Sequence, residues 1–317
     1  MMDSSLQVLI LAAGKGTRMR SARAKVLHEI FFAPMIVHVL EAVAPLAPAA
    51  TTVVIGHQRH EVMEALKEYP LEFVVQEEQQ GTAHAVLAAA SNLSKRDGTL
   101  LILCGDTPVI TSRTLEDLLT SHKRRGDKLS VLTSRVADPF GYGRIISDPD
   151  GRLRRIVEEK DATPEERRIC EINSGIYCAE IDFLFPALNQ VGSNNKQGEM
   201  YLTDIVEIAH RSALETHASH CPDTEELLGV NSRVDLARAQ SLLQQRRNTE
   251  LMLAGVTILQ PETTLVDRRA DIGQDTVIHP HVSISGPCRI GRECVIGSFN
   301  HLHACNLPDG SQIPPFR

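Results

Sequence analysis

Short β-branched or leucine-rich runs alternate with helical patterns through the first half of the chain, and aliphatic residues recur every six positions near its end. Together these predict an α/β fold with a mostly parallel sheet, followed by a short left-handed parallel β-helix. The arithmetic agrees: 317 residues at about 150 per domain make roughly two domains. With 42% hydrophobic and 23% charged residues the chain has the composition of a globular protein. The expected division is a first domain over 1–230, a connecting helix over 231–253 and a β-helix with a Pro-rich tail over 254–317.

Strands are expected at Gln7 to Ala12, Thr52 to Ile55, Glu72 to Gln76, Leu100 to Cys104 and Leu129 to Ser134. Helices are expected between them at Ile36 to Ala44, Glu61 to Leu66, Thr82 to Asn92 and Ser112 to Arg125, the last closed by Gly126 as a C-terminal cap. In open sheets of this kind ligands sit beyond the carboxyl ends of the strands, so the loops Ala13 to Arg20, Glu77 to Gly81 and Gly105 to Pro108 should converge. From Tyr142 the pattern becomes a hairpin, Gly143 to Ser147 and Arg152 to Glu158 about a Pro149-Asp150-Gly151 turn, which would wall one side of a pocket. A strand at Ile172 to Cys178 and a helix at Leu202 to Ser212 follow. The long helical pattern Arg233 to Leu253 has Asn231 or Ser232 as its cap.

Near the end, Val266, Ile272, Ile278, Ile284, Ile290, Ile296 and Leu302 stand six apart. The residues two positions earlier are small or β-branched: Thr264, Ala270, Thr276, Val282, Cys288 and Cys294. An antiparallel meander is the competing pattern, but a fixed hexad in which each side turns a corner and presents one inward aliphatic reads as a parallel β-helix, here of about two coils. The tail Pro308 to Arg317 closes it. Such coils commonly pack side by side, so the β-helix offers a surface for a homo-oligomer, and the readings of trimer, dimer and monomer all stay open.

Charge and composition exclude several functions. Lys plus Arg number 33 against 40 acidic residues, a net charge of −7 with no basic run, which argues against a nucleic-acid partner. Aromatics at 4%, with no Trp, leave little for a base-stacking platform. Seven scattered cysteines, never in a CxxC pair, disfavour a disulfide framework and a zinc site and fit a reduced, cytoplasmic location. Met1 to Ser5 carries an acid and no base, and Val8 to Ala13 is too short for a signal-peptide core. Pro34, His38, Glu41, Pro45 and Pro48 interrupt the apolar stretch Phe31 to Ala50, so no membrane span is expected.

The segment that carries most chemistry is Leu9-Ile10-Leu11-Ala12-Ala13-Gly14-Lys15-Gly16-Thr17-Arg18-Met19, a buried strand entering a glycine-rich basic loop. Small residues let backbone N–H groups approach an anion, and Lys15 and Arg18 add charge, so a polyphosphate is the natural guest. It is neither a dinucleotide fingerprint, whose third Gly is replaced by Met19, nor a Walker loop, which needs Gly-Lys-Ser/Thr. Lys25-Val26-Leu27-His28 follows. Further on come Gln76 with Gln79-Gln80-Gly81-Thr82-Ala83-His84-Ala85, Cys104-Gly105-Asp106-Thr107-Pro108 and Gly141-Tyr142-Gly143-Arg144-Ile145. Ile156 to Thr163, Glu171-Ile172-Asn173-Ser174-Gly175 and Gly229-Val230-Asn231-Ser232-Arg233 complete the series. In this order the blocks resemble the sugar nucleotidyltransferase superfamily, and within it the bacterial bifunctional enzymes that make UDP-N-acetylglucosamine, over the chain to about Asp235.

The resemblance implies a Rossmann-like nucleotidyltransferase domain that condenses UTP with N-acetylglucosamine 1-phosphate, with Mg²⁺ as cofactor. It implies that Arg18 stabilises the departing phosphates and Lys25 the α-phosphate. Leu11, Ala12, Ala13, Gly14, Gln76, Gly81 and Thr82 would hold the nucleotide, and Gly105, Gly143, Glu158 and Asn173 the sugar. Asp106 and Asn231 would hold the metal; read as bare residues, Asp106 is equally a turn residue and Asn231 a helix cap, and Asn231 has the chemistry for both roles. Cys104 stands where an aromatic is expected, and Met200 before Tyr201 where a second Tyr is common, departures that would loosen packing. Members of the family continue into further coils that carry acetyl transfer; the sequence here has no counterpart of that later site, and no acetyltransferase activity is expected. His279, His281, His301 and His303 read as exposed corner residues of the coil. Two other readings stay open: a nucleotidyltransferase for another sugar 1-phosphate or dTTP, and a non-catalytic sugar-nucleotide sensor assembled through its β-helix.

Overall fold

The computed structural model describes residues 5–149 and 151–316. The acidic start at Met1 to Ser4, the centre of the expected turn at Asp150 and the last residue, Arg317, lie outside them. The chain divides into two compact units, residues 1–28 with 35–231, and residues 29–34 with 232–317. The expected first domain is therefore interrupted. Residues 29–34 form a two-stranded hairpin, and the Phe31 backbone N–H donates to Gln240 Oε1 (2.5 Å), a partner more than two hundred residues away that no local pattern reveals.

In the first unit the strands β1 (Gln7–Leu11), β2 (Ala50–Ile55), β3 (Glu72–Val75), β4 (Thr99–Cys104), β5 (Leu129–Arg135), β6 (Arg144–Ser147), β7 (Leu153–Val157), β8 (Glu171–Glu180) and β9 (Thr216–His220) form one sheet. Its order is β9-β5-β8-β4-β1-β2-β3, with β6 joining β8 to β7. The stretch β4-β1-β2-β3 is parallel, as hydrophobic runs buried on both faces require. β8 is antiparallel to both β4 and β5 and so turns the sheet mixed on that side. β9 and the helix at Ile181–Leu188 have no counterpart in the sequence reading; β9 carries His217 and His220 and lacks an apolar run.

The helices are α1 (Met35–Val43), α2 (Arg59–Ala65), α3 (Thr82–Ala88), α4 (Ala90–Leu93), α5 (Ser112–Arg125), α6 (Ile181–Leu188) and α7 (Asp204–Arg211). The single helix expected over Thr82 to Asn92 breaks at Ala89. α5 has the expected boundaries: Thr111 accepts from the Thr114 N–H at its start, and Gly126, at φ 70°, closes it. Leu9, Val54, Ala83, Leu100, Ile102, Val131, Tyr177 and Val206 belong to one buried core that fixes where the strands end.

In the second unit α8 (Arg233–Leu253) begins at a capping box formed by Ser232 and Asp235. Ser232 is thus the cap, and the Asn231 side chain is spent elsewhere. Short parallel strands follow in three sheets, one of four strands and two of three. The coil therefore makes about three turns where two were expected, because the hexad changes length at both ends. Ile290 pairs with Leu307, five positions after Leu302, and Ile296 pairs with Ile313 inside the expected tail. The earlier small residues are buried too, so each side contributes two inward positions: Thr276, Cys288 and Cys294 are as enclosed as Ile278, Ile284 and Ile296.

Candidate active site

The site starts where β1 and β4 end side by side. The Ala12 N–H donates to the Val54 carbonyl (2.8 Å) and the Gly105 N–H to the Leu11 carbonyl (2.9 Å), so both following loops leave the same edge of the sheet. A Cβ on Gly105 would lie 3.2 Å from Val26 Cγ1 and 3.3 Å from the Leu11 carbonyl oxygen, so the loop packs tightly here. Gly16 adopts φ 59°, and a Cβ there would stand 2.6 Å from Lys25 Cβ. The glycine-rich loop thus folds against Lys25, while buried Met19, Val26 and Leu27 anchor the two short helical turns that present Arg18 and Lys25.

Four residues distant in sequence meet there. The Lys25 ammonium donates to Asp106 Oδ2 and to Asn231 Oδ1, the latter at 2.7 Å. Arg18 Nη2 donates to the same Asn231 oxygen at 2.8 Å. The Val230 N–H bonds the Asp106 carbonyl (2.8 Å), tying the segment before α8 to the loop after β4. Two hard oxygens, a carboxylate and an amide carbonyl, therefore already embrace one positive nitrogen. That donor set fits Mg²⁺, which takes one or two protein oxygens and completes its shell with water and phosphate. Among the described residues no three His, Cys, Asp or Glu side chains gather around a metal position, so a cage made wholly of protein is not offered.

Beside this cluster lies a cavity of about 450 Å³. Leu11, Ala12, Ala13, Gly14, Lys25, Gln76, Gly81, Thr82 and Asp106, all expected from the sequence, line it. Gln76 is buried; its Nε2 donates to the Gly81 carbonyl (3.2 Å) and lies 3.0 Å from His84 Nδ1. The Gly81 backbone, at φ 114°, passes so close to Met200 that a Cβ would stand 2.4 Å from its carbonyl oxygen. Thr82 Oγ1 accepts from the Leu202 N–H (2.9 Å). The loop before α3 is thereby stitched to the chain before α7.

The residues expected around the sugar form a second group. The Asn173 N–H donates to the Gly143 carbonyl (2.9 Å), and a Cβ on Gly143 would meet Ile156 Cγ2 at 2.9 Å and Glu158 Oε1 at 3.6 Å. Asn173 Nδ2 donates to the Tyr177 hydroxyl (2.8 Å) and its Oδ1 accepts from the Gly175 N–H (3.0 Å), so its rotamer is fixed from both ends. Glu158 is pushed above the usual carboxylate range, first by burial and then by the Asp161 and Asp204 charges, with the Thr203 hydroxyl working the other way. Glu158 faces a second cavity of about 340 Å³ with Asp161, Tyr201 and Asp204. Gly143 and Asn173 line neither cavity, and Arg18, Gly105 and Asn231 stand outside the lining of the first.

Sequence reasoning passed over Gln79 and Glu199, which also line the first cavity. Gln79 lay inside the Gln-Gln-Gly-Thr block but carried no role there; Glu199 is brought in only by the Gly81–Met200 stitch. Cys104 lines the cavity as well, its Sγ 3.7 Å from the Gly175 carbonyl, with no room to spare opposite Gly175. Burial and the Asp106 charge push its thiol up to about 12, against the pull of Lys25.

Comparison with known proteins places these features. The model of the MobA-like NTP transferase domain matches residues 8–176, and that of the bacterial transferase hexapeptide (six repeats) matches 269–304, on the coil of short parallel strands. A bifunctional protein GlmU of Desulfotalea psychrophila is 47% identical over 98% of this chain and 92% of its own length. Those of Pelobacter propionicus (46%, 98% of this chain and 67% of theirs) and Geobacter metallireducens (49%, 92% and 61%) are longer. A crystal structure assigned as a glucose-1-phosphate thymidylyltransferase from Bacillus anthracis superposes with TM-score 0.59 over 75% of this chain and 94% of that one. At 20% identity that likeness shows the fold alone. No helix among the described residues is long and apolar enough to cross a membrane.

Proposed function

The chain belongs to the GlmU family, and from that premise we propose that it joins UTP to N-acetylglucosamine 1-phosphate, forming UDP-N-acetylglucosamine and releasing pyrophosphate. The observation that carries the reading is the convergence of Arg18, Lys25, Asp106 and Asn231 at the edge of a cavity walled by the Ala12–Gly14 loop and Gln76. Both reactants are polyanions, so the work of the site is to hold them in line and neutralise charge, with no covalent nucleophile required. The sugar phosphate oxygen attacks the α-phosphorus while pyrophosphate leaves from the opposite face. Lys25 steadies the α-phosphate and Arg18 the departing phosphates; both cations already donate to the Asn231 oxygen, which phosphate oxygens would replace, while Asp106 is a further acceptor for Lys25. Asp106 and Asn231 are the residues to hold Mg²⁺, whose chemistry in such a site is to offset phosphate charge.

Gln76 and the Gly81–Thr82 backbone would read the uracil edge, and Gly105, Gly143, Glu158 and Asn173 the sugar with its acetamido group. The substrates proposed are UTP and N-acetylglucosamine 1-phosphate, and the reading is confined to nucleotidyl transfer. Seven free cysteines suit a reducing cytoplasm, and the β-helix offers faces through which copies would associate. The test is pyrophosphate release from the purified chain with Mg²⁺, UTP and N-acetylglucosamine 1-phosphate, beside glucose 1-phosphate, dTTP and EDTA controls. Release confined to the first pair and abolished by EDTA is expected. Release favouring another pair overturns the substrate assignment, and folded protein that binds nucleotide without turnover overturns the reaction.

A further inference from the structure

Gln79 is a polar side chain of the nucleotide cavity that has no task in the proposed reaction. It lines the cavity, and its Oε1 is buried with no hydrogen-bond partner among the described residues. A buried carbonyl oxygen left unpaired is costly and uncommon, so it calls for an account. The carboxamide lies beside a glycine: a Cβ on Gly56, the residue after β2, would lie 3.0 Å from Gln79 Nε2 and 2.9 Å from the Ala13 carbonyl oxygen. Gly56, Ala13 and Gln79 therefore meet with no space for a methyl group, and Gln79 stands against the backbone of the glycine-rich loop.

Its place in the cavity identifies the ligand group it faces. Gln76, Gly81 and Thr82 form one stretch of the wall, and Gly14, Lys15, Lys25 and Asp106 the cationic and polar stretch. Gln79, which follows Gln76 and precedes Gly81 in the chain, and Ala13, the neighbour of Gly14, both come within about 3 Å of a Cβ built on Gly56, so the two stretches approach each other there. Resting on the reading that the base occupies the first stretch and the phosphates the second, the sugar ring of the nucleotide crosses at Gln79. The donors a nucleotide carries at that point are its ribose hydroxyls. We propose that Gln79 is a ribose-reading residue, its Oε1 accepting the hydrogen of the 2′-hydroxyl, and that it gives the site its preference for ribonucleotides over 2′-deoxyribonucleotides. A half-turn about the last side-chain torsion, which is broad for Gln, exchanges the carboxamide oxygen and nitrogen and turns the oxygen from the wall into the cavity, where the hydroxyl is its donor.

The experiment is calorimetric titration of the full chain, with Mg²⁺ in the buffer and no sugar phosphate, by UTP and by 2′-deoxy-UTP. Wild type, Gln79→Met and Gln79→Ala are compared, Met keeping the bulk of the side chain and losing only its polar atoms. One hydrogen bond predicts that wild type binds UTP about tenfold more tightly than 2′-deoxy-UTP. In Gln79→Met the UTP affinity falls to that of the deoxynucleotide, whose own affinity stays within about twofold of wild type. In turnover, KM for UTP rises and kcat holds. Equal weakening of both nucleotides assigns Gln79 a packing role and overturns the proposal, as does a preference that survives in Gln79→Met or is missing in wild type. Binding of neither nucleotide by folded wild type overturns the functional reading itself, an outcome distinct from binding without discrimination.

Discussion

Replacing Gly81 by Ala tests whether the stitch between the Gly81 loop and Met200 builds the nucleotide wall. Gly81 has φ 114°, and a Cβ there would lie 2.4 Å from the Met200 carbonyl oxygen and 2.7 Å from its nitrogen. Both are backbone atoms held by their own hydrogen bonds: the Met200 N–H donates to the Gln80 carbonyl at 2.8 Å, and the Ala83 N–H to the Met200 carbonyl at 2.9 Å. Keeping the native path costs about 1–3 kcal/mol for the torsion alone, before any overlap. Moving Met200 away forfeits two hydrogen bonds at about 1 kcal/mol each. With the torsion kept and both hydrogen bonds lost the cost comes to about 3–5 kcal/mol, a large part of a typical native stability. The loop will therefore yield, taking with it the Gly81 carbonyl that receives Gln76 and the Thr82 hydroxyl that receives the Leu202 N–H. Initial rates of pyrophosphate release should show KM for UTP raised at least about tenfold, the equivalent of a single lost contact of 1.4 kcal/mol. Urea unfolding should show a lowered midpoint. Gly126→Ala is the control, since Gly126 also has positive φ (70°) but meets nothing within 4 Å of an added Cβ. If Gly81→Ala unfolds as Gly126→Ala does and keeps its KM for UTP within twofold, the stitch does not build the wall.

Asp106→Asn should lower kcat about 100-fold or more while circular dichroism and the urea midpoint change little, because the ion pair it gives up with Lys25 is partly exposed; unchanged turnover would remove Asp106 from the chemistry. Cys104, whose thiol is pushed up to about 12, should stay unmodified by iodoacetamide at pH 8 while exposed Cys170 is labelled, as peptide mass spectrometry will show. Rapid labelling of Cys104 would contradict the raised thiol. Burial, with the Glu207 and Asp161 charges added and Arg211 opposing, raises Asp204 from 3.8 to about 6. A carboxyl raised in the folded state loses stability as pH climbs from about 4 through 6. Asp204→Asn should therefore be more stable than wild type by about 1 kcal/mol at pH 7, allowing for solvent screening, and equal to it below about pH 4. Urea unfolding at the two pH values decides the sign.

The site was legible in the sequence where local chemistry and spacing carry it. The strand that runs into Ala12-Ala13-Gly14-Lys15-Gly16 reads as a buried strand entering a loop suited to an anion, and residues of the three loops expected to converge line one cavity. Gln76, Gly81 and Thr82 could be named because they follow a strand end in one block. Gln79, from the same block, went unassigned because only the fold buries its oxygen with no partner among the described residues, its amide nitrogen lying beside Gly56. The choice of Asn231 or Ser232 as helix cap was likewise undecidable from residue types, since both serve; the fold gives the cap to Ser232 and the Asn231 oxygen to Arg18 and Lys25.

By itself the sequence determined the alternation of strands and helices, the hexad coil and most of the residues that line the first cavity. Those depend on periodicity and on groups close together along the chain. Tertiary structure alone decided what depends on distant segments sharing space. It brought Lys25 to Asp106 and Asn231, and returned residues 29–34 to α8. It set β8 antiparallel between β4 and β5, and added a turn to the coil where five residues replace six. Backbone hydrogen bonds and close packing are satisfied only over the whole fold, and no window of sequence contains both partners of such a contact.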